Sequence, residues 1–169
     1  MKLNIITPIL FHEMSKIENY IEYYPNGEIK EDGILKYGEK HGFWTEWFDN
    51  GNKKRIESYK DGKCDGSYIG WYKNGQKRYE GTWKNDEIHG LCTCWYKSGQ
   101  IKSQWNTIRG YSFGLSTSWY KNGNKKSEGN FKNDKKSGLF TGWYNNGQKK
   151  KEVTFKDGYF ISQKEWNED

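Results

Sequence analysis

An all-β fold, a linear array of six short hairpins joined into one long twisted antiparallel sheet, is predicted by three observations. Asn-Gly or Ser-Gly pairs place glycines at Gly27, Gly51, Gly75, Gly99, Gly123 and Gly147, a fixed interval of 24 residues through six units. A second glycine keeps that interval at Gly42, Gly66, Gly90, Gly114 and Gly138. A tryptophan keeps it at Trp47, Trp71, Trp95, Trp119 and Trp143, with Tyr23 standing in the first unit. So strict a period means that each unit packs mainly on its neighbours, which places function on a long surface.

Residues 1–18 do not fit the repeat and are expected to cap the first sheet edge, with Ile5, Ile6, Ile9, Leu10 and Phe11 packed over it. Residues 19–158 hold the six units. The last unit shows the pattern: Leu139–Tyr144, the turn Asn145-Asn146-Gly147, then Gln148–Lys156 leading into Asp157-Gly158. Each unit reads as two strands and a hairpin. Asn-Gly suits either a two-residue type I′ turn or a type I turn closed by a left-handed glycine bulge. Pro25 selects the second, because in Tyr24-Pro25-Asn26-Gly27 it fits the second position of a type I turn. A two-residue loop would instead put it in the ladder without a donor. This choice pairs Trp71 with Lys77, Ile69 with Tyr79 and Ser67 with Gly81. Residues 159–169 add a cap strand and an acidic tail, with Trp166 one residue out of register with the tryptophan column.

Leu, Ile, Val and Phe make only 28 of 169 residues, a level usual for disordered charged chains. Nine Trp, thirteen Tyr and eight Phe at register-locked positions reverse that reading, since each ring can bury roughly 150–250 Å². The net charge of +6 suits an acidic protein, nucleic acid or an anionic membrane surface. Cys64, Cys92 and Cys94 are odd in number and lack the spacing of a zinc site, which points to a reduced, cytoplasmic chain without a metal. Met1–Phe11 has no small-residue cleavage site, and no apolar run approaches ~18 residues.

The expected register defines two faces. One carries the tryptophans, the column Ile69, Thr93, Thr117 and Thr141, the leucines Leu91, Leu115 and Leu139, and the rings Tyr59, Trp83, Phe131 and Phe155, with Gly81 and Gly129 between them. This is the expected hydrophobic spine. The other carries Tyr24, Phe48, Tyr72, Tyr96, Tyr120 and Tyr144 beside Lys30, Lys54, Arg78, Lys102, Lys126 and Lys150. Two strands per unit at ~4.8 Å spacing put successive charges ~10 Å apart. Glu80, Glu128 and Glu152 lie two residues further along the same strands and are placed to neutralise the lysines.

The fourth unit departs from the pattern at Trp105, Thr107 and Ile108-Arg109-Gly110-Tyr111. Small residues Cys92, Cys94, Ser116 and Ser118 align there with Tyr20, Trp44, Tyr68 and Phe140 of other units. A shallow depression bordered by Tyr96, Tyr120, Lys102 and Lys126 is the expected contact site, with Tyr72, Arg78 and Trp105 beside it. Catalytic residues are absent from this reading. His12, His41 and His89 lack metal-ligand spacing, and the glycines punctuate turns without forming a phosphate loop, so neither cofactor nor enzymatic activity is expected.

The run Trp71-Tyr72-Lys73-Asn74-Gly75-Gln76-Lys77-Arg78-Tyr79-Glu80-Gly81-Thr82-Trp83-Lys84-Asn85-Asp86, with the pair His89-Gly90, resembles the MORN repeat, and more closely its bacterial variant. Glu57, Trp105 and Val153 depart from it where the pattern has glycine. The resemblance implies a non-enzymatic module that binds a protein partner, as a scaffold or as an antitoxin or immunity protein holding a toxin; the aromatic and basic residues Tyr96, Tyr120, Lys102, Lys126 and Trp105 are the expected anchors of such a contact. Binding to anionic phospholipid is its alternative implication. Nucleic acid is disfavoured by the interspersed glutamates.

Overall fold

A computed structural model describes residues 16–168. The chain runs β1 (Ile17–Tyr23), β2 (Ile29–Lys36), β3 (Glu39–Trp47), β4 (Lys53–Lys60), β5 (Lys63–Trp71), β6 (Lys77–Lys84), β7 (Glu87–Ile88), β8 (Gly90–Trp95), β9 (Ile101–Ile108), β10 (Tyr111–Trp119), β11 (Lys125–Lys132), β12 (Lys135–Trp143), β13 (Lys149–Lys156) and β14 (Tyr159–Glu165). All 14 strands join one open antiparallel sheet in chain order, with the short β7 paired to β6 and β8 resuming that line after His89. The expected cap lies largely outside the described residues, and Ile17 already opens the edge strand β1. At the other edge β14 continues the sheet, and Trp166 rejoins the tryptophan column despite its offset, since its amide donates to the Lys150 carbonyl at 3.0 Å.

Within each unit the loop is the one Pro25 selects. Tyr24 N–H donates to the Glu28 carbonyl at 2.7 Å and Gly27 N–H to the Tyr24 carbonyl at 2.9 Å, with Gly27 at φ +87°. The other five loops repeat these bonds. Between units, two-residue turns carry positive φ at both centres, as at Asp61-Gly62 (48° and 81°) and Asn85-Asp86 (49° and 65°). This is the type I′ geometry whose twist matches paired strands, and Asn and Asp reach it without glycine.

The expected register holds at one pair and fails beyond it. Trp71 opposes Lys77, but Gly70 opposes Tyr79, Ile69 opposes Glu80 and Ser67 opposes Thr82. Arg78 is the extra residue of a second bulge, and Lys30, Lys54, Lys102, Lys126 and Lys150 hold the same place in the other hairpins. A bulge shifts pairing by one residue, and with a period of two it moves the rest of the strand to the opposite face. The spine expected under the tryptophans therefore divides. Tyr59, Gly81, Trp83, Gly129, Phe131 and Phe155 belong with Trp44, Tyr68 and Phe140. Glu80, Glu128 and Glu152 join the tryptophan face.

The ring-bearing face is the core. One row crosses every unit as Tyr20, Gly33, Trp44, Glu57, Tyr68, Gly81, Cys92, Trp105, Ser116, Gly129, Phe140, Val153 and Gln163. Trp44 lies over Gly33, Tyr68 over Gly81 and Phe140 over Gly129, each ring occupying the space a side chain would need. Tyr68 packs on Trp83 and Tyr79 with ring centres 5.3 and 5.8 Å apart, and Phe140 packs edge-on to Phe131 and Phe155 at 5.3 Å.

This row also explains the three departures from glycine. No ring lies over positions 57, 105 and 153, so each carries a side chain of its own. Glu57, 8% exposed, accepts from the Tyr59 hydroxyl at 2.9 Å and pairs with Arg55 at 3.4 Å. Trp105 stands between Cys92 and Ser116, whose small size makes room for it. Val153 is 8% exposed beside Phe140.

The opposite face holds the tryptophan column over buried Thr93 and Thr117. There Lys77, Lys125 and Lys149 pair with Glu80, Glu128 and Glu152 at 2.7, 2.6 and 2.6 Å. The same lysines reach over Trp95, Trp143 and Trp166.

Candidate functional site: a tyrosine-backed cation ladder

The bulge that displaces the glutamates exposes the basic column. Lys30 is paired to Glu22 at 2.6 Å and Lys54 to Glu46 at 3.1 Å, so the first two rungs are neutralised. Glu46 also accepts from Arg55. Burial pushes the Glu46 carboxyl up, but Lys54 and Arg55 more than offset this and hold it below the usual carboxylate range, so it stays charged. In later units Gly70, Cys94, Ser118 and Gly142 take the place of Glu22 and Glu46 along the sheet. Arg78, Lys102, Lys126 and Lys150, all exposed, therefore carry no ion pair among the described residues.

Each of these cations lies over a tyrosine of its own hairpin. Arg78 sits 5.8 Å from the Tyr72 ring centre, Lys102 5.9 Å from Tyr96, Lys126 5.6 Å from Tyr120 and Lys150 5.2 Å from Tyr144. The rings are themselves anchored to the next unit. Tyr72, Tyr96, Tyr120 and Tyr144 donate their hydroxyls to the carbonyls of Trp95, Trp119, Trp143 and Trp166 at 2.8, 2.7, 2.9 and 2.9 Å. The tyrosine rings behind the ladder are thus fixed by the fold, with their side-chain freedom already restricted. Phe48 breaks the hydroxyl series within the neutralised part.

Tyr120→Phe is expected to remove one inter-unit hydrogen bond while leaving the ring under Lys126. The cost is about 1 kcal/mol, and thermal melting should fall by about 2–4 °C.

Of the residues expected to form the contact site, the structure brings together Tyr72, Arg78, Tyr96, Lys102, Tyr120 and Lys126, with Cys94 and Ser118 on the floor beside them. Cys92, Trp105 and Ser116 lie one row away, in the core. At that row the expected depression is filled at Cys92, which is 0% exposed with the Tyr68 hydroxyl 3.5 Å from its sulfur on one side and Trp105 on the other, while Trp105 and Ser116 line a cavity of about 250 Å³ with Phe113 and Phe131. Cys92 is therefore withdrawn as a contact. Burial pushes the Cys94 thiol up, more than Ser103 and Lys102 pull it down, so it is a neutral thiol on the floor and not a nucleophile. Sequence reasoning placed Lys150 in the basic column but not in the site, and it missed the small polar floor of Ser103, Ser127 and Gly142. The signal was present in the absence of a Glu22 or Glu46 counterpart from the third unit onward.

A single open sheet, units of one period and an ordered surface ladder define a linear β-hairpin repeat array. The MORN repeat variant model matches residues 19–37, 40–61, 65–85, 114–133 and 136–157, and the MORN repeat model matches residues 79–101 and 128–139. The variant segments cover more than half of the chain, which belongs to the MORN repeat variant family. Repeats of this kind are commonly binding modules for proteins or membranes, without catalysis of their own. Among curated proteins no relative matches the chain. No helix among the described residues is long and apolar enough to cross a membrane.

Proposed function

We propose that this protein binds the acidic surface of a protein partner through the ladder Arg78, Lys102, Lys126 and Lys150 and the tyrosines behind it. The observation that carries this reading is the loss of carboxylate neighbours in the last four units, while the lysines one residue earlier, Lys77, Lys125 and Lys149, keep theirs. Aromatic rings with cations on them are the composition enriched at interface hot spots. A toxin held inactive in a one-to-one complex is one partner of this kind, and a client tethered to a scaffold is another.

The test is affinity capture from native cells at low and high salt. The wild-type chain should retain one stoichiometric protein, and Lys102→Glu with Lys126→Glu should lose it by about tenfold or more. Charge reversal at Lys84 and Lys132, which lie outside the ladder, should leave it bound. Equal capture by both double variants would sink the reading. The same four free cations also favour an anionic membrane surface. In that case phosphatidylserine vesicles would bind steeply with falling salt and phosphatidylcholine vesicles would not.

A further inference from the structure

Resting on the reading of the ladder as a protein-binding surface, we propose that its occupant is an acidic polyproline II segment of the partner, laid across the strands, with a carboxylate at every third residue. Three features of the surface point to this chemistry.

The first is spacing. Successive rungs lie two strands apart, ~9.6 Å at the usual strand separation. A polyproline II chain rises ~3.1 Å per residue with three residues per turn, so every third side chain returns to the same side after ~9.3 Å. An extended β-strand covers a similar length in three residues, but its side chains alternate, and every second carboxylate would face away. Four free cations span three such intervals, which a segment of about ten residues covers.

The second is the floor. Beside the ladder, Tyr79, Cys94, Ser103, Ser118, Ser127 and Gly142 form an unbroken paired row from β6 to β12. From Cys94 onward the side chains of this row are small and let a backbone approach closely, and Ser118 and Ser127, whose hydroxyls lie 2.7 Å apart, offer polar groups to its carbonyls. Toward the N-terminal units the same row becomes Arg55, Glu46, Glu31 and Glu22. Those glutamates repel an acidic chain and already occupy Lys54 and Lys30, so the track begins at Arg78.

The third is the far end. A groove of about 430 Å³ opens where Ser127 and Lys151 meet Phe131, Phe140, Phe155 and Phe160. Prolines dock in aromatic-lined grooves because their chain is already ordered and loses little freedom on binding.

Two fluorescein-labelled twelve-residue peptides test this on the full chain by anisotropy: four Glu-Pro-Pro repeats, and an isomer with the four glutamates contiguous before the eight prolines. The repeat peptide is expected to bind about tenfold tighter or more than its isomer, and to lose that advantage with Lys102→Glu and Lys126→Glu. Equal binding of the two would show that charge is read without spacing, which overturns the segment and leaves the basic protein-binding surface standing. Failure of both peptides, with native partner capture still abolished by the double variant, overturns the segment alone. Failure of both peptides and of partner capture, with binding to phosphatidylserine vesicles, overturns the segment and the protein-binding reading together.

Discussion

Gly81→Val is expected to destabilise the chain by about 3 kcal/mol, at the upper end of overpacking costs, and to lower its melting temperature by roughly 6–12 °C. A Cβ at this position would stand 2.6 Å from the Tyr68 ring. The ring cannot retreat, because it packs at 5.3 Å on Trp83 and at 5.8 Å on Tyr79, and its hydroxyl meets Cys92. Neither is the backbone free to move, since Gly81 lies mid-strand in β6 with β5 paired to it. Because a linear array is stabilised by nearest-neighbour interfaces, the loss should be local. Amide exchange should accelerate first in β5 and β6 and least in β1 and β14.

A rescue distinguishes this account from a general intolerance of substitution. The row reads Cys92, Trp105, Ser116 from the fourth unit into the fifth, a large residue on the second strand of a hairpin between two small ones. Tyr68→Ser combined with Gly81→Trp would extend that order to Ser, Trp, Cys92, Trp105. The double variant should therefore be more stable than Gly81→Trp alone, with a favourable coupling above about 1 kcal/mol in a double-mutant cycle by chemical denaturation. Additive losses would show that the ring–glycine complementarity is not what holds the row.

Trp105→Gly is the second large effect. Removing the indole leaves a gap between Cys92 and Ser116 that neither small neighbour fills, and a cost of about 3 kcal/mol follows from lost burial and cavity formation. The same change uncovers a thiol. Cys92 is fully buried, while Cys64 and Cys94 are partly exposed. In the wild type one of the three thiols should therefore react much more slowly than the others with an aromatic disulfide reagent. In Trp105→Gly its rate should rise toward that of Cys94, and an unchanged slow phase would refute the role given to Trp105. Serine in place of tryptophan would not help, since the gap is apolar.

The hairpins, the loops and the strand order were legible in the residues. Pro25 and the Asn-Gly pairs dictate the loop by backbone geometry alone, and the 24-residue interval dictates that units stack in chain order. The basic and tyrosine columns were legible too, since both keep the interval. Face membership beyond the loop was not. A bulge at Arg78 and its equivalents has no glycine, proline or asparagine to announce it; the extra residue is an ordinary Lys or Arg, and a single inserted residue reverses every later assignment on that strand. The expected neutralisation of the ladder by Glu80, Glu128 and Glu152 failed for this reason. The expected depression is closed at Cys92 for another: Cys92 and Ser116 look like vacancies along the sequence, and only pairing across strands shows Trp105 between them.

For this protein, then, the sequence by itself determined a six-unit array, its turn chemistry, its open antiparallel sheet and its place in the MORN repeat variant family, because period and turn residues act over a few neighbouring positions. Which rings lie over which glycines, which glutamates meet which lysines, and where four cations are left without a carboxylate were decided only in the tertiary structure. Those contacts join residues up to 25 positions apart through a register that one bulged residue resets, and no local preference encodes it.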